Sequence, residues 1–175
     1  KITKAMEMVA AAKLRRGRAD DMIATGKRHA FVHGYDVGYD DAGRILALDL
    51  TLASRCGFSA DLSGPINDRA VFHADNAYWL PDVAIHSYRC RTNTVSDTAF
   101  RGFGGPQGMF AIEAVIDAIA RATGLDPLDV RKANLYGTNE RNVTPYGMTV
   151  EDNIIHEHVA ELAASSGYRA RRAGP

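Results

Sequence analysis

From Phe31 the chain alternates between apolar and polar positions, weakly to Tyr39 and clearly from Arg44 to Leu52 through Ile45, Ala47, Asp49 and Thr51. A period of two predicts strands, and Asp40-Asp41-Ala42-Gly43 between them carries turn residues, so a hairpin is expected here. After a loop at Asp61-Leu62-Ser63-Gly64, Pro65 predicts the start of a short helix to about His73. Trp79-Leu80-Pro81 breaks the chain before a third strand, Val83 to Thr92. The strongest helical pattern follows Pro106, which suits a first helical position. Met109, Ile112, Ile116 and Ile119 recur three and four apart with Val115 beside them, and Gly124 stands where a C-cap needs a left-handed residue. Asp126-Pro127 opens another helix through Val130 to Leu135, ending at Gly137. Asn139 to Met148 reads as loop, and a last helix is expected from about Val150 to Ser165. Hairpin strands and separate helices in one chain predict an α+β fold.

Residues 1–18 stand apart. Ile2, Ala5, Met6, Val9 and Ala12 mark one helical face, with Lys1, Lys4, Lys13, Arg15 and Arg16 around it. This segment carries six Lys/Arg against one Glu, although the 175-residue chain has zero net charge. That whole-chain balance gives no reason to expect nucleic acid or a membrane surface as partner. Cys56 and Cys90 make neither a metal motif nor a disulfide framework; they read as small buried apolar residues in a reducing compartment. No signal peptide is visible and no apolar run approaches a membrane span, so a cytoplasmic location is expected. His156 and His158, two apart, point to different sides of their helix, and His29, His33, His73 and His86 lack ligand-spaced partners, so no metal ligand is expected.

The residues with the most chemistry in their pattern are Thr98-Ala99-Phe100-Arg101-Gly102-Phe103-Gly104-Gly105-Pro106-Gln107. Three glycines before a helix predict a loop that delivers unpaired N–H groups to an anion. Arg101 adds a forked cation and Phe103 an aromatic face for a flat ligand. The order is neither G-x-G-x-x-G nor a P-loop, so generic nucleotide motifs leave it unassigned. Arg69, among Ile66, Ala70 and Phe72, is a second candidate, because an arginine buried without a task is expensive.

These strings, with Arg69-Ala70-Val71-Phe72-His73-Ala74-Asp75-Asn76-Ala77-Tyr78, Ala24-Thr25-Gly26-Lys27-Arg28-His29, Cys56 to Ser63 and Arg141 to Gly147, resemble the molybdenum-binding subunit of xanthine dehydrogenases over about residues 19 to 174. The resemblance implies a partial molybdopterin-binding domain at residues 19–175. It gives Arg69 a catalytic and substrate-binding role, facing a purine and stabilising charge on it, and makes Phe103 the stacking residue. Arg101, Gly102, Phe103 and Gly104 become the cofactor-binding loop. Aldehyde oxidases lack the Arg69 equivalent and usually the second glycine of Gly104-Gly105, so both residues favour the purine branch. The implied chemistry is molybdenum-assisted hydroxylation of hypoxanthine and xanthine towards urate. Electrons then pass through 2Fe-2S clusters and FAD to NAD. The implied partners are an Fe-S/FAD subunit or domain, in a homodimer or heterotetramer.

The family's substrate-binding glutamate and its catalytic glutamate base have no counterpart here, so the chain is expected to be a fragment inactive alone. Lys1 to Arg16 separately resembles the N-terminal helix of the ATP synthase gamma subunit. That implies a chimeric chain, with a foreign helix at residues 1–18 and a join near Lys13 to Ala19. Two other readings are a structural rotor protein, from residues 1–16, and a purine-binding remnant without catalysis.

Overall fold

The structure, a computed structural model, describes residues 26–173. The expected foreign helix and its join therefore lie outside the described residues. Phe31–Tyr39 (β1) and Ile45–Gly57 (β2) form the expected antiparallel hairpin. Asp40 closes its turn, accepting the Ala42 and Arg44 N–H groups on Oδ1. A bulge at Gly38/Tyr39, opposite Ile45 and Ala47, resets the alternation. Ile45 and then Leu48, Leu50 and Leu52 face inward, while Ala47 and Asp49 face out. The expected strand also falls five residues short, since β2 continues to Gly57.

Ser63–Val71 (α1) carries the chain from β2 across to Val83–Arg91 (β3), which pairs parallel with β2, giving the sheet order β1-β2-β3. Such a parallel connection needs a crossover of a dozen or more residues, which the stretch around α1 provides. Gly105–Thr123 (α2) lays Ala111, Ile112, Val115, Ile116, Ile119 and Ala120 on this sheet, in one core with Leu48, Leu50 and Leu52. Met109, expected in that stripe, is exposed, because the inward face is set by Gly108, Ala111 and Val115. Gly124 takes the expected left-handed C-cap at φ 73°.

Pro127–Asn134 (α3) starts at Asp126, whose Oδ1 accepts the Leu128 N–H at 2.8 Å. At its end the buried Asn134 donates to Gly43 O and Val130 O and accepts from Ile45 N, tying α3 to the hairpin with every amide atom paired. Ile155–Ser165 (α4) begins five residues later than expected, because Val150 N–H binds Asn142 O and Asn153 binds Tyr136 O. A short helix that the pattern does not announce, Tyr168–Arg172 (α5), follows. Its Arg169 and Arg172 pair with Asp126, and Arg169 also reaches Asp129. Among the described residues no helix is long and apolar enough to cross a membrane.

Candidate functional site: the glycine loop and the helix beneath it

Helix α1 begins at Ser63, two residues before Pro65, and its first turn is held from outside. Ser63 Oγ lies 2.7 Å from His29 Nε2, both buried, and Asn67 Nδ2 donates to Ser87 Oγ and Tyr88 O on β3. With that face tied down, Arg69 lies on the opposite one, exposed to solvent. The burial cost that singled out Arg69 therefore does not arise: the side chain is exposed and free to meet a ligand.

The loop that follows β3 is anchored by Asp97, only 1% exposed, which accepts Arg55 Nε at 2.9 Å and Nη2 at 3.2 Å. Thr98 N–H continues the anchor to Lys27 O. Replacing Arg55 with methionine strands a buried carboxylate, and we expect a loss of about 2–3 kcal/mol, less than for a fully buried pair since the Arg55 side chain is 43% exposed. Urea unfolding checks this; Arg55→Met/Asp97→Leu should recover much of the loss, because no charge is then left unpaired.

Beyond this anchor the backbone turns through three consecutive positive φ values: Gly102 at 95°, Phe103 at 48° and Gly104 at 96°. A phenylalanine held at positive φ is a strained residue of the kind that clusters at ligand sites. Gly104 caps α2 and presses on α1: a Cβ there would lie 2.0 Å from Ile66 O. Gly108, one turn on, meets Ala70 O at 2.1 Å by the same measure. The α1 backbone thus rests directly on the glycine face of α2, and Arg69 sits between the two contact residues Ile66 and Ala70 in sequence.

This corrects the reading of the loop as a source of free helix N–H groups. Gly105 N–H binds Gly102 O, and the Gln107 and Gly108 N–H groups both bind Gly104 O. Pro106 occupies the second helical position, not the first, and has no N–H to offer. The glycines serve close packing first.

Side chains provide what the backbone does not. Arg28, which the sequence pattern did not single out, stacks its guanidinium 4.5 Å from the centroid of the Phe100 ring and donates Nη2–H to Arg101 O at 2.5 Å. Its Nη1 is buried without a partner, as is Oε1 of Gln107. Arg101 itself is exposed, and Phe103 is half-buried. The loop therefore offers an orphaned donor, an orphaned acceptor, a free arginine and bare glycine backbone. That set fits a polar cofactor with many hydrogen-bonding atoms, such as a pterin.

The wall is open. A cleft of about 460 Å3 between Tyr136 and Tyr146 opens on Asp75 and Asn76, and one of about 290 Å3 lies beside Cys56, Arg89 and Arg91; neither is lined by Arg69, Arg101 or Phe103. Cys90, expected to be buried with Cys56, is exposed on β3.

Burial also sets two imidazoles apart. Desolvation is the main cause holding both His29 and His33 below the usual 6.5; for His29 the nearby Asp97 works against it. His33 lies between Phe31 and Phe110, with ring centroids at 5.9 and 6.2 Å, and its Nε2 is buried and unpaired. Folded pKa values below the unfolded one mean that the stability from these groups is fully present above pH 6.5 and is lost as pH falls through the folded values. His33→Phe, which extends the aromatic ladder, should flatten this acid slope. Urea midpoints at about pH 7.5 and 5.5 measure it.

The geometry defines an α+β scaffold that packs a glycine loop against a short helix. A family model for the molybdopterin cofactor-binding domain matches residues 2–135, and the chain belongs to that family. It is 43% identical over 155 residues to xanthine dehydrogenase/oxidase of Gallus gallus, covering 89% of this chain and 11% of that protein. It is 42% identical over 154 residues to xanthine dehydrogenase of Dictyostelium discoideum, covering 88% and 11%. Nicotinate hydroxylase hnxS of Emericella nidulans is 37% identical over 174 residues, covering 94% of this chain and 12% of its own length. Among solved structures, aldehyde oxidoreductase from Desulfovibrio gigas superposes with a TM-score of 0.75 at 25% identity, over 86% of this chain and 17% of that one. The chain thus spans about one ninth of the length of these curated relatives. The family match leaves the rotor-protein reading unsupported.

Proposed function

We propose that this segment forms one wall of the molybdopterin and purine site of a xanthine dehydrogenase-type hydroxylase. The packing of Gly104 on Ile66 and Ala70 carries the reading, since it holds the Phe103 loop on the helix that displays Arg69. Phe103 offers its ring to a planar substrate, and Arg69 offers a guanidinium where negative charge develops on it. Arg101, Gly102 and Gly104 form the cofactor side of the loop. The bound cofactor supplies the metal-assisted hydroxylation; the chain orients the substrate and balances charge.

In this reading the rest of the polypeptide contributes the acid–base residues, and Fe-S clusters, FAD and NAD take up the electrons in a cytoplasmic homodimer or heterotetramer. The present segment alone should hold negligible molybdenum and convert no xanthine. The complete polypeptide should hold molybdenum and form urate from xanthine. A molybdenum-loaded polypeptide that turned over nicotinate but no purine would overturn the purine assignment.

A further inference from the structure

Arg28 is bound on two sides and free on a third. Its planar guanidinium covers the Phe100 ring at 4.5 Å, and Nη2 reaches the Arg101 carbonyl at 2.5 Å, 73 residues along the chain. No carboxylate forms an ion pair with it among the described residues. Because the guanidinium is rigid, those two contacts also fix the direction of Nη1. Nη1 is buried and unpaired, and a Cβ on Gly102 would stand 3.8 Å from it. A buried cationic donor without an acceptor is costly, more so than a neutral one. The first turn of α2 holds the complementary orphan: Gln107 donates Nε2–H to His29 O, which leaves its buried Oε1 with no donor.

We infer that Arg28 is the positioning residue of the cofactor loop, fixing Phe100 and the Arg101 carbonyl while holding Nη1 for an acceptor on the bound pterin, with Gln107 Oε1 set to receive a pterin N–H. This inference rests on the assignment of the loop to molybdopterin. A lysine at position 28 would keep the charge but could not stack on Phe100, bind Arg101 O and present a third directed donor at once.

The test uses the complete polypeptide, loaded with a limiting supply of molybdopterin. Pterin is released, oxidised and quantified by fluorescence, and divided by the folded fraction read from circular dichroism. Arg28→Lys and Arg28→Met should each lower occupancy about tenfold, the scale of one lost charge-assisted hydrogen bond. Gln107→Leu should lower it a few-fold, and the apo forms should melt close to the parent. Arg28→Lys with parental occupancy would overturn the inference. So would a loss of pterin that merely tracked unfolding, which would leave Arg28 a structural staple. A parent protein that bound no pterin would instead strike the loop assignment itself, and this inference with it.

Discussion

Gly104→Ala will destabilise the protein by about 4 kcal/mol, combining backbone strain with overpacking. The added methyl would stand 2.0 Å from Ile66 O and 2.9 Å from its carbon, and both obstacles are backbone, so no rotamer change can relieve them. The residue also has φ 96°, which an L side chain rarely adopts. Moving α1 away is the available escape, and that separates Phe103 from Arg69. Two controls divide the causes. Gly124→Ala has φ 73° and nothing within 4 Å, so it should show strain alone, about 1 kcal/mol. Gly108→Ala meets Ala70 O at 2.1 Å without a positive φ, and should show the packing part alone. The loss is large against a usual total stability of about 5–15 kcal/mol, so urea unfolding resolves it easily. Equal losses for Gly104→Ala and Gly124→Ala would contradict the close packing of α1 on α2.

Local features of the fold were legible where one residue type settles the backbone. β1 has the expected limits because turn chemistry bounds it at Asp40, and α2 ends at Thr123 because Gly124 supplies the left-handed residue. Long-range choices were not. Alternation announces a strand but not its partner, so the parallel pairing of β3 with β2 had no local signal. The start of α1 depends on His29, 34 residues away, and the start of α4 on hydrogen bonds to Tyr136 and Asn142.

The site divides the same way. Arg101, Gly102, Phe103 and Gly104 were legible as a loop of unusual composition. Their glycines, however, read as an anion cradle, and only the α1 backbone lying on them shows the packing surface. Arg28 stood only within one of the strings that carry the family resemblance, with no role attached, since a single arginine before a histidine has no period and no spacing. Only a partner 73 residues on reveals it.

Arg69 gives the most direct test of the proposed purine site. The side chain is exposed on a helix pinned elsewhere by Ser63 and Asn67, so its removal should leave folding intact. If it meets charge that exists mainly in the transition state, Arg69→Met must lower kcat far more than it raises KM. The expected loss is about a hundredfold or more, as for the removal of one oxyanion donor, or on the order of 3 kcal/mol. A neutral aldehyde develops no ring charge and should be spared. The decisive measurement is therefore the ratio of kcat/KM for xanthine to that for a neutral aldehyde, per bound molybdenum, before and after Arg69→Met in the complete polypeptide. A fall of about two orders of magnitude in that ratio is the result expected from these residues. An unchanged ratio, with turnover per molybdenum intact, would contradict the placement of Arg69 at the purine and leave it an ordinary surface arginine.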